Sequence, residues 1–303
     1  MQAASAYLLS LPFEGNSCFR EANAFQMETE EELREALAME LRRTGATQLA
    51  SVAEAFAIVP RHRFVPEATL KDAYADHAIS IKGAGTETLA SISQPSMLAR
   101  MLDLARVRPG DRILEIGTGS GYNAALLAQL TGPGGLVVTI EIEADLVQRA
   151  RAALAGCGYE NVRIELGNGY DGAPSWAPYD CIIVSARAND IAPAWWDQLR
   201  DGGRVVVPLD VGIAGEYAVG FERVGSELHS VGIVNCLFLP LRGGEQGVVP
   251  HVFVRSSTER YDRRPRPIAS IIAVRAEDAD PSLLSRASIV VARPATIFAI
   301  TWA

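Results

Sequence analysis

The stretch "RILEIGTGSGYNAALLAQL", residues 112–130, runs from a short apolar segment through three glycines, Gly117, Gly119 and Gly121, into a segment of helical composition. That order lets a chain turn sharply and lets a ligand approach main chain that carries no side chain. A tight strand-to-helix turn without a ligand is the plainer alternative. The spacing is G-x-G-x-G and not the G-x-G-x-x-G of dinucleotide folds, with Glu115 just ahead of it and Glu141 closing the next apolar run. An acid at the tip of a second strand is placed to accept hydrogen bonds from ribose hydroxyls. Otherwise Glu141 belongs to the acidic start of the helix that follows, "EIEAD".

Outward from the turn, apolar runs at 113–116, 136–140, 162–166, 181–184 and 205–207 alternate with helical patterns near 95–106, 121–130, 143–155 and 193–200. Alternation of this kind predicts an α/β fold whose parallel sheet is covered by helices on both faces, with its ligand site at the carboxyl ends of the strands. After Pro208 the pattern changes, and "YAVGFERV" and "LHSVGIVNCLFLPL" read as an antiparallel addition. Residues 245–303 read as a small β-containing extension, 1–28 as a poorly defined lead-in, 29–93 as a helical N-terminal region and 94–244 as the central domain. In the N-terminal region Thr29 and Glu32 have capping-box spacing ahead of a stripe through Leu33, Leu37 and Leu41. A second helix is expected over 48–58, stopped by Pro60. "PRHRFVPEA" reads as an architectural link anchored by ion pairs of Arg61 and Arg63. The polar, glycine-containing segment through "KGAGTETLAS" to "SISQP" reads as a long functional loop.

Composition narrows the partners. The chain has 303 residues, 49% of them hydrophobic and 21% charged, as in a folded protein with a sizeable core. A formal charge of −8 argues against a nucleic-acid binder, which needs a basic footprint. Four cysteines without a CxxC, and four histidines without ligand spacing, predict neither a metal site nor a disulfide framework. The start "MQAASAYLLSLPF" lacks a basic region, and no apolar run is long enough for a bilayer. The expectation is therefore a cytoplasmic protein without a membrane partner. No feature sets an oligomeric state.

With these residues in view, "LEIGTGSGYNAALLA" resembles the S-adenosylmethionine motif of protein-L-isoaspartate O-methyltransferases. "PRHRFVPEA", "AYADHAISI", "SISQP", "PYDCIIVSARA", "DQLRDGGRVVVPL" and "LFLPLRGG" resemble that family's successive blocks, over about 50–244. The resemblance implies a Rossmann-like class I S-adenosylmethionine-dependent methyltransferase fold and S-adenosylhomocysteine as product. It implies cofactor contacts from Glu115, Gly117, Thr118, Gly119, Gly121, Tyr122, Glu141, Asn168 and Gly169. It also implies catalytic hydroxyls at Ser93 and Ser91, Ser91 standing where the family has threonine. Ser93, Ser185, Arg187, Tyr74 and Asp76 are the implied substrate contacts. Ser93 is either a donor to the acceptor carboxylate or the N-cap of the helix starting at Pro95, and one hydroxyl can serve both roles.

Three departures bear on function. Asn168 stands where the family has an aspartate that meets the adenine amino group; its side-chain oxygen can accept the same bond, and Asp171 is the alternative. Arg187 interrupts a small-residue run at the substrate entrance, where it would either bind an acidic peptide group or point to solvent. The segment "KGAGTETLAS" is longer than in the ordinary repair enzyme. With the C-terminal extension, it resembles the branch associated with ribosomally made modified peptides. The leading expectation is thus a peptide carboxyl O-methyltransferase acting on an aspartate of a precursor peptide, possessing basic character to match the chain's acidity, with collapse of the ester to an aspartimide. General isoaspartyl repair is the alternative, and a non-catalytic peptide-binding module is the second. Trp195 and Trp196 form either an aromatic wall for peptide or part of the core.

Overall fold

The structure, a computed structural model, describes residues 29–84, 87–210 and 215–244, together with four strands beyond them. The lead-in 1–28 lies outside the described residues. Helix α1 (Glu30–Arg43) opens on the expected capping box: the Thr29 side chain accepts from Glu32 N–H while Glu32 reaches back to Thr29 N–H. It is followed by α2 (Ala50–Ile58), a single 3₁₀ turn (Arg61–Phe64) and α3 (Leu70–Tyr74).

The expected long loop is in fact an antiparallel hairpin, β1 (Ile79–Ala84) with β2 (Glu87–Ile92). Its glycines and weak apolar alternation hid the strands: Ile79, Ile81 and Ile92 pack on the core near its base, while other hairpin residues line a cavity. Helix α4 (Pro95–Ala105) comes next. Its N-cap is Gln94, without a side-chain cap bond, so Ser93 is not the cap. Asp76 does part of that work from a distance, accepting from Ser96 N–H at 2.8 Å and from Gln94 Nε2 at 3.0 Å.

The alternating region folds as β3 (Arg112–Ile116), α5 (Tyr122–Thr131), β4 (Leu136–Glu141), α6 (Ala144–Gly156), β5 (Val162–Leu166), β6 (Tyr179–Val184), α7 (Pro193–Gln198) and β7 (Leu199–Asp210). Strands β8 (Glu216–Val224) and β9 (Glu227–Asn235) follow. Strands β10 (His251–Val254), β11 (Ile268–Arg275), β12 (Ile289–Ala292) and β13 (Thr296–Trp302) continue the same sheet. The order is β10-β12-β13-β11-β9-β8-β7-β6-β3-β4-β5, parallel from β7 to β5 and antiparallel over the rest. The chain builds β3, β4 and β5 outward and then returns to place β6 on the other side of β3. That reversal opens a crevice at the carboxyl ends of β3 and β6.

Side-chain alternation sorts the core into two layers. Ile113, Val137, Cys181 and Ile183 pack beneath α2, α4 and α5, whereas Leu114, Val138, Ile182 and Val184 face α7. Trp195 and Trp196 both belong to that second layer and are fully buried, so neither is an aromatic wall for peptide. No helix among the described residues is long and apolar enough to cross a membrane.

Candidate active site

At the carboxyl ends of β3, β4 and β6 lies a cavity of about 740 Å³, a volume suited to a nucleoside-sized ligand with room for an acceptor group. Its floor is the glycine turn. Gly117, Gly119 and Gly121 have φ of 92°, 53° and 89°, the left-handed region that favours glycine, and Gly117 and Gly119 line the cavity with Thr118 and Ser120. Gly169 lines it as well; a Cβ there would stand 2.4 Å from Ile116 Cγ2, so the backbone comes close only because the side chain is missing.

Glu141 lies at the tip of β4 with its carboxylate at the cavity wall. Oε2 accepts from Gly119 N–H at 2.9 Å, and Oε1 accepts from Ile142 and Glu143 N–H at 3.0 and 3.2 Å. The acid therefore both organises the glycine turn and starts the next helix, and its remaining lone pairs face a space where ribose hydroxyls fit.

Glu115 is fully buried behind the turn. Asn123 Nδ2 donates to its Oε1 at 2.8 Å and Thr139 Oγ1 to its Oε2 at 2.6 Å, with the Thr118 hydroxyl 2.7 Å from Thr139; Ser185 Oγ stands 3.4 Å away. Burial pushes the Glu115 carboxyl up to about 7 despite those donors. Asn123 and Thr139 were not singled out by sequence, although an asparagine in the apolar run "YNAALLA" is the trace they left.

The acceptor side of the cavity is built from the hairpin, the start of α4 and the segment 237–242. Ser91, Ser93, Gln94, Ser185 and Ala186 line it, as do Phe238, Leu239 and Leu241. The hairpin is pinned to the cofactor side by charge: Lys82 Nζ lies 2.7 Å from Glu143 Oε2 and 2.7 Å from Asp145 Oδ1, and Arg242 pairs with the same Glu143. Neither the pairing nor the 237–242 wall was anticipated, since their partners lie far apart in sequence.

Several expected residues sit elsewhere. Tyr122 lines the cavity, but its ring packs edge-on against Phe56 and Phe64 in the core. Gly121 is outside the lining and carries the turn into α5, packed near Leu154 and Ala150. Asn168 is also outside it: its Oδ1 accepts from Tyr170 N–H at 3.1 Å and its Nδ2 donates to Gly243 O at 3.0 Å. Tyr74 is buried with its hydroxyl 2.8 Å from His62 Nδ1, and Asp76 is committed to α4; neither lines the cavity. Arg187 neither points to solvent nor stands free for peptide, because it pairs with Glu216 while its backbone ties down 239–241. Trp195 acts on the site from below, donating from Nε1 to Gly169 O at 2.8 Å and stacking on Tyr170.

A family model described as Protein-L-isoaspartate(D-aspartate) O-methyltransferase (PCMT) matches residues 31–246, which is most of the chain and encloses every residue of the cavity. The chain belongs to that family. Among its relatives, a protein-L-isoaspartate O-methyltransferase of Ignicoccus hospitalis is 45% identical over 180 residues, covering 59% of this chain and 83% of the relative. One from Archaeoglobus fulgidus, named Protein-L-isoaspartate O-methyltransferase 2, is 41% identical over 213 residues, covering 70% and 94%. A solved protein-L-isoaspartate O-methyltransferase superposes with a TM-score of 0.65 at 25% identity over 89% of this chain and 88% of its own. A Plasmodium falciparum structure described as a putative member in complex with S-adenosyl-L-homocysteine shares the fold, with a TM-score of 0.60 at 20% identity over 69% and 98%. By family, this protein is an S-adenosylmethionine-dependent carboxyl O-methyltransferase on a class I methyltransferase fold. Bare backbone at Gly117 and Gly119, the Glu141 acceptor and the close approach at Gly169 make a cradle that fits a nucleoside bearing a charged tail.

Proposed function

We propose that this protein methylates the free carboxyl of isoaspartyl residues in damaged proteins or peptides, as a general repair enzyme of the cytoplasm. One observation carries the reading: the whole cavity, acceptor side included, is walled by residues between 78 and 242, inside the segment shared with relatives named for isoaspartate. None of the described residues beyond 244 contributes to that wall. A dedicated aspartate-bearing precursor peptide, the leading expectation from sequence, rested in part on the lengthened hairpin and the C-terminal extension; the hairpin walls the acceptor side within the segment shared with those relatives, and the C-terminal strands only add an edge to the sheet.

In this reading 94–244 holds the methyl donor, the hairpin of 29–93 shares the acceptor side with the start of α4 and segment 237–242, and the described strands beyond 244 extend the sheet. Gly117, Thr118, Gly119 and Gly169 present backbone to the donor, Glu141 takes the ribose hydroxyls, Asn168 acts from behind by holding Gly243, and Glu115, in the cavity wall, holds Asn123 and Thr139. When bound, S-adenosylmethionine supplies an electrophilic methyl group. The acceptor carboxylate is already ionised at neutral pH, so the chain needs no strong base. Its task is to align and desolvate that carboxylate, with Ser93 and Ser91 donating to its oxygens in a cavity that Ser185 also lines.

The test is mass spectrometry of two peptides that differ only in having isoaspartate or aspartate at one position, each incubated with enzyme and S-adenosylmethionine. A gain of about 14 Da on the isoaspartyl peptide alone supports the repair reading. Modification of the aspartyl peptide alone points to the precursor-peptide enzyme, and calorimetry showing no binding of S-adenosylhomocysteine would point to a binding module without catalysis.

A further inference from the structure

Arg61 is the most buried charged side chain that the proposed chemistry leaves unused. It sits on the 3₁₀ turn between α2 and α3 with none of its surface exposed, and among the described residues it forms no ion pair. Ion pairs were the sequence expectation for it. Its guanidinium instead donates to main-chain carbonyls: Nε to Ala73 O at 2.8 Å, and Nη2 to His77 O at 3.3 Å and to Ser93 O at 3.1 Å. Its flat face lies 5.0 Å from the ring centre of Tyr122, the residue that leads the glycine turn into α5.

The three carbonyls are not a random set. His77 precedes β1, Ser93 follows β2, and Ala73 lies in α3, so one guanidinium closes both legs of the hairpin at its base and ties them to the helix before it. The strand pairing that ends at Ile79 and Ile92 stops short of both legs. Burying a cation without a carboxylate is costly. The same closure by an apolar side chain would leave the buried Ala73 carbonyl and the part-buried His77 and Ser93 carbonyls without this donor, which a forked, planar cation can serve together and an ammonium cannot.

We propose that Arg61 is a positioning residue for methyl transfer: by holding the Ser93 carbonyl it sets the height and direction at which the Ser93 hydroxyl meets the acceptor carboxylate. The inference rests on the reading of Ser93 given above. It acts through the hairpin and touches neither methyl donor nor acceptor.

A double-mutant cycle with Arg61→Lys and Ser93→Ala tests it, with S-adenosylhomocysteine affinity measured by calorimetry on each variant. In the wild-type background Arg61→Lys is expected to lower kcat by about 10- to 100-fold while cofactor affinity changes less than about threefold. In the Ser93→Ala background the same change is expected to cost less than about threefold, because the group it positions is gone. Equal losses in the two backgrounds, or full turnover in Arg61→Lys, would overturn the proposal. Should Arg61→Lys fail to fold, Arg61→Gln, uncharged but still a donor, carries the same comparison. Hydrogen exchange separates this claim from the functional reading. If wild-type enzyme is silent on isoaspartyl peptides, that reading falls, and exchange alone judges Arg61: faster exchange in 77–93 of the variant with α5 unchanged supports positioning, and unchanged exchange refutes it.

Discussion

Glu115→Gln should make the protein less sensitive to alkaline pH. The carboxyl is fully buried, and desolvation raises it from 4.5 to about 7. Between those values the folded state keeps a proton that the unfolded state has released, so stability falls as pH rises through that window and the loss is complete above about pH 8. At about 1.4 kcal/mol per tenfold, the gap between 4.5 and about 7 sets a ceiling of about 3 kcal/mol, of which about 2–3 kcal/mol falls between about pH 5 and about pH 8.5. The glutamine amide can keep the Asn123 bond through its oxygen, and the Thr139 hydroxyl can reverse to accept from the new N–H while it donates to Thr118. Urea unfolding followed by tryptophan fluorescence at the two pH values measures the effect. The wild type is expected to lose about 2–3 kcal/mol more than the variant on going to the higher pH. Parallel losses in the two proteins would refute the assignment of a buried, proton-retaining carboxyl behind the glycine turn.

Further substitutions probe other parts of the site. Ser93→Ala is expected to lower turnover on an isoaspartyl peptide by about 10- to 100-fold with S-adenosylhomocysteine affinity intact, as calorimetry on the same preparation would show. Gly119→Val places a β-branched residue at φ 53° and sends its side chain toward Ile81 and Ser91; circular dichroism should stay native while cofactor binding is lost. Arg187→Met leaves Glu216 part-buried without its cation, so its Tm should fall further than that of the double variant Arg187→Met/Glu216→Gln, which thermal scans would show.

The central sheet was legible because its inner strands β3, β4 and β6 are buried on both faces and therefore read as nearly unbroken apolar runs between helices. The glycine turn and Glu141 were legible for a different reason: positive φ and an acid at a strand tip are properties of single positions. What stayed hidden depends on pairs. Arg61 read as an ion-pair anchor because a sequence shows a charge without the carbonyls that receive it, and those of Ala73, His77 and Ser93 carry no residue signal at all. Arg187 and Glu216 lie on opposite sides of β7, so their pairing emerges only once the sheet is assembled. The hairpin escaped because burial along β2 rises from exposed at Glu87 to buried at Ile92 without alternating, so the period-2 mark of a half-buried strand is missing.

Repair of the isoaspartyl linkage itself is the most direct check on the central claim. An isoaspartyl peptide is held with enzyme and S-adenosylmethionine, and its isomers are separated by chromatography over several turnovers, since each ester that closes to an imide and hydrolyses returns part of the peptide as normal aspartate. Steady loss of the isoaspartyl isomer with growth of the aspartyl one, absent without S-adenosylmethionine and with Gly119→Val, is the expected result. An isoaspartyl peptide left unchanged while its aspartyl twin is consumed would contradict it.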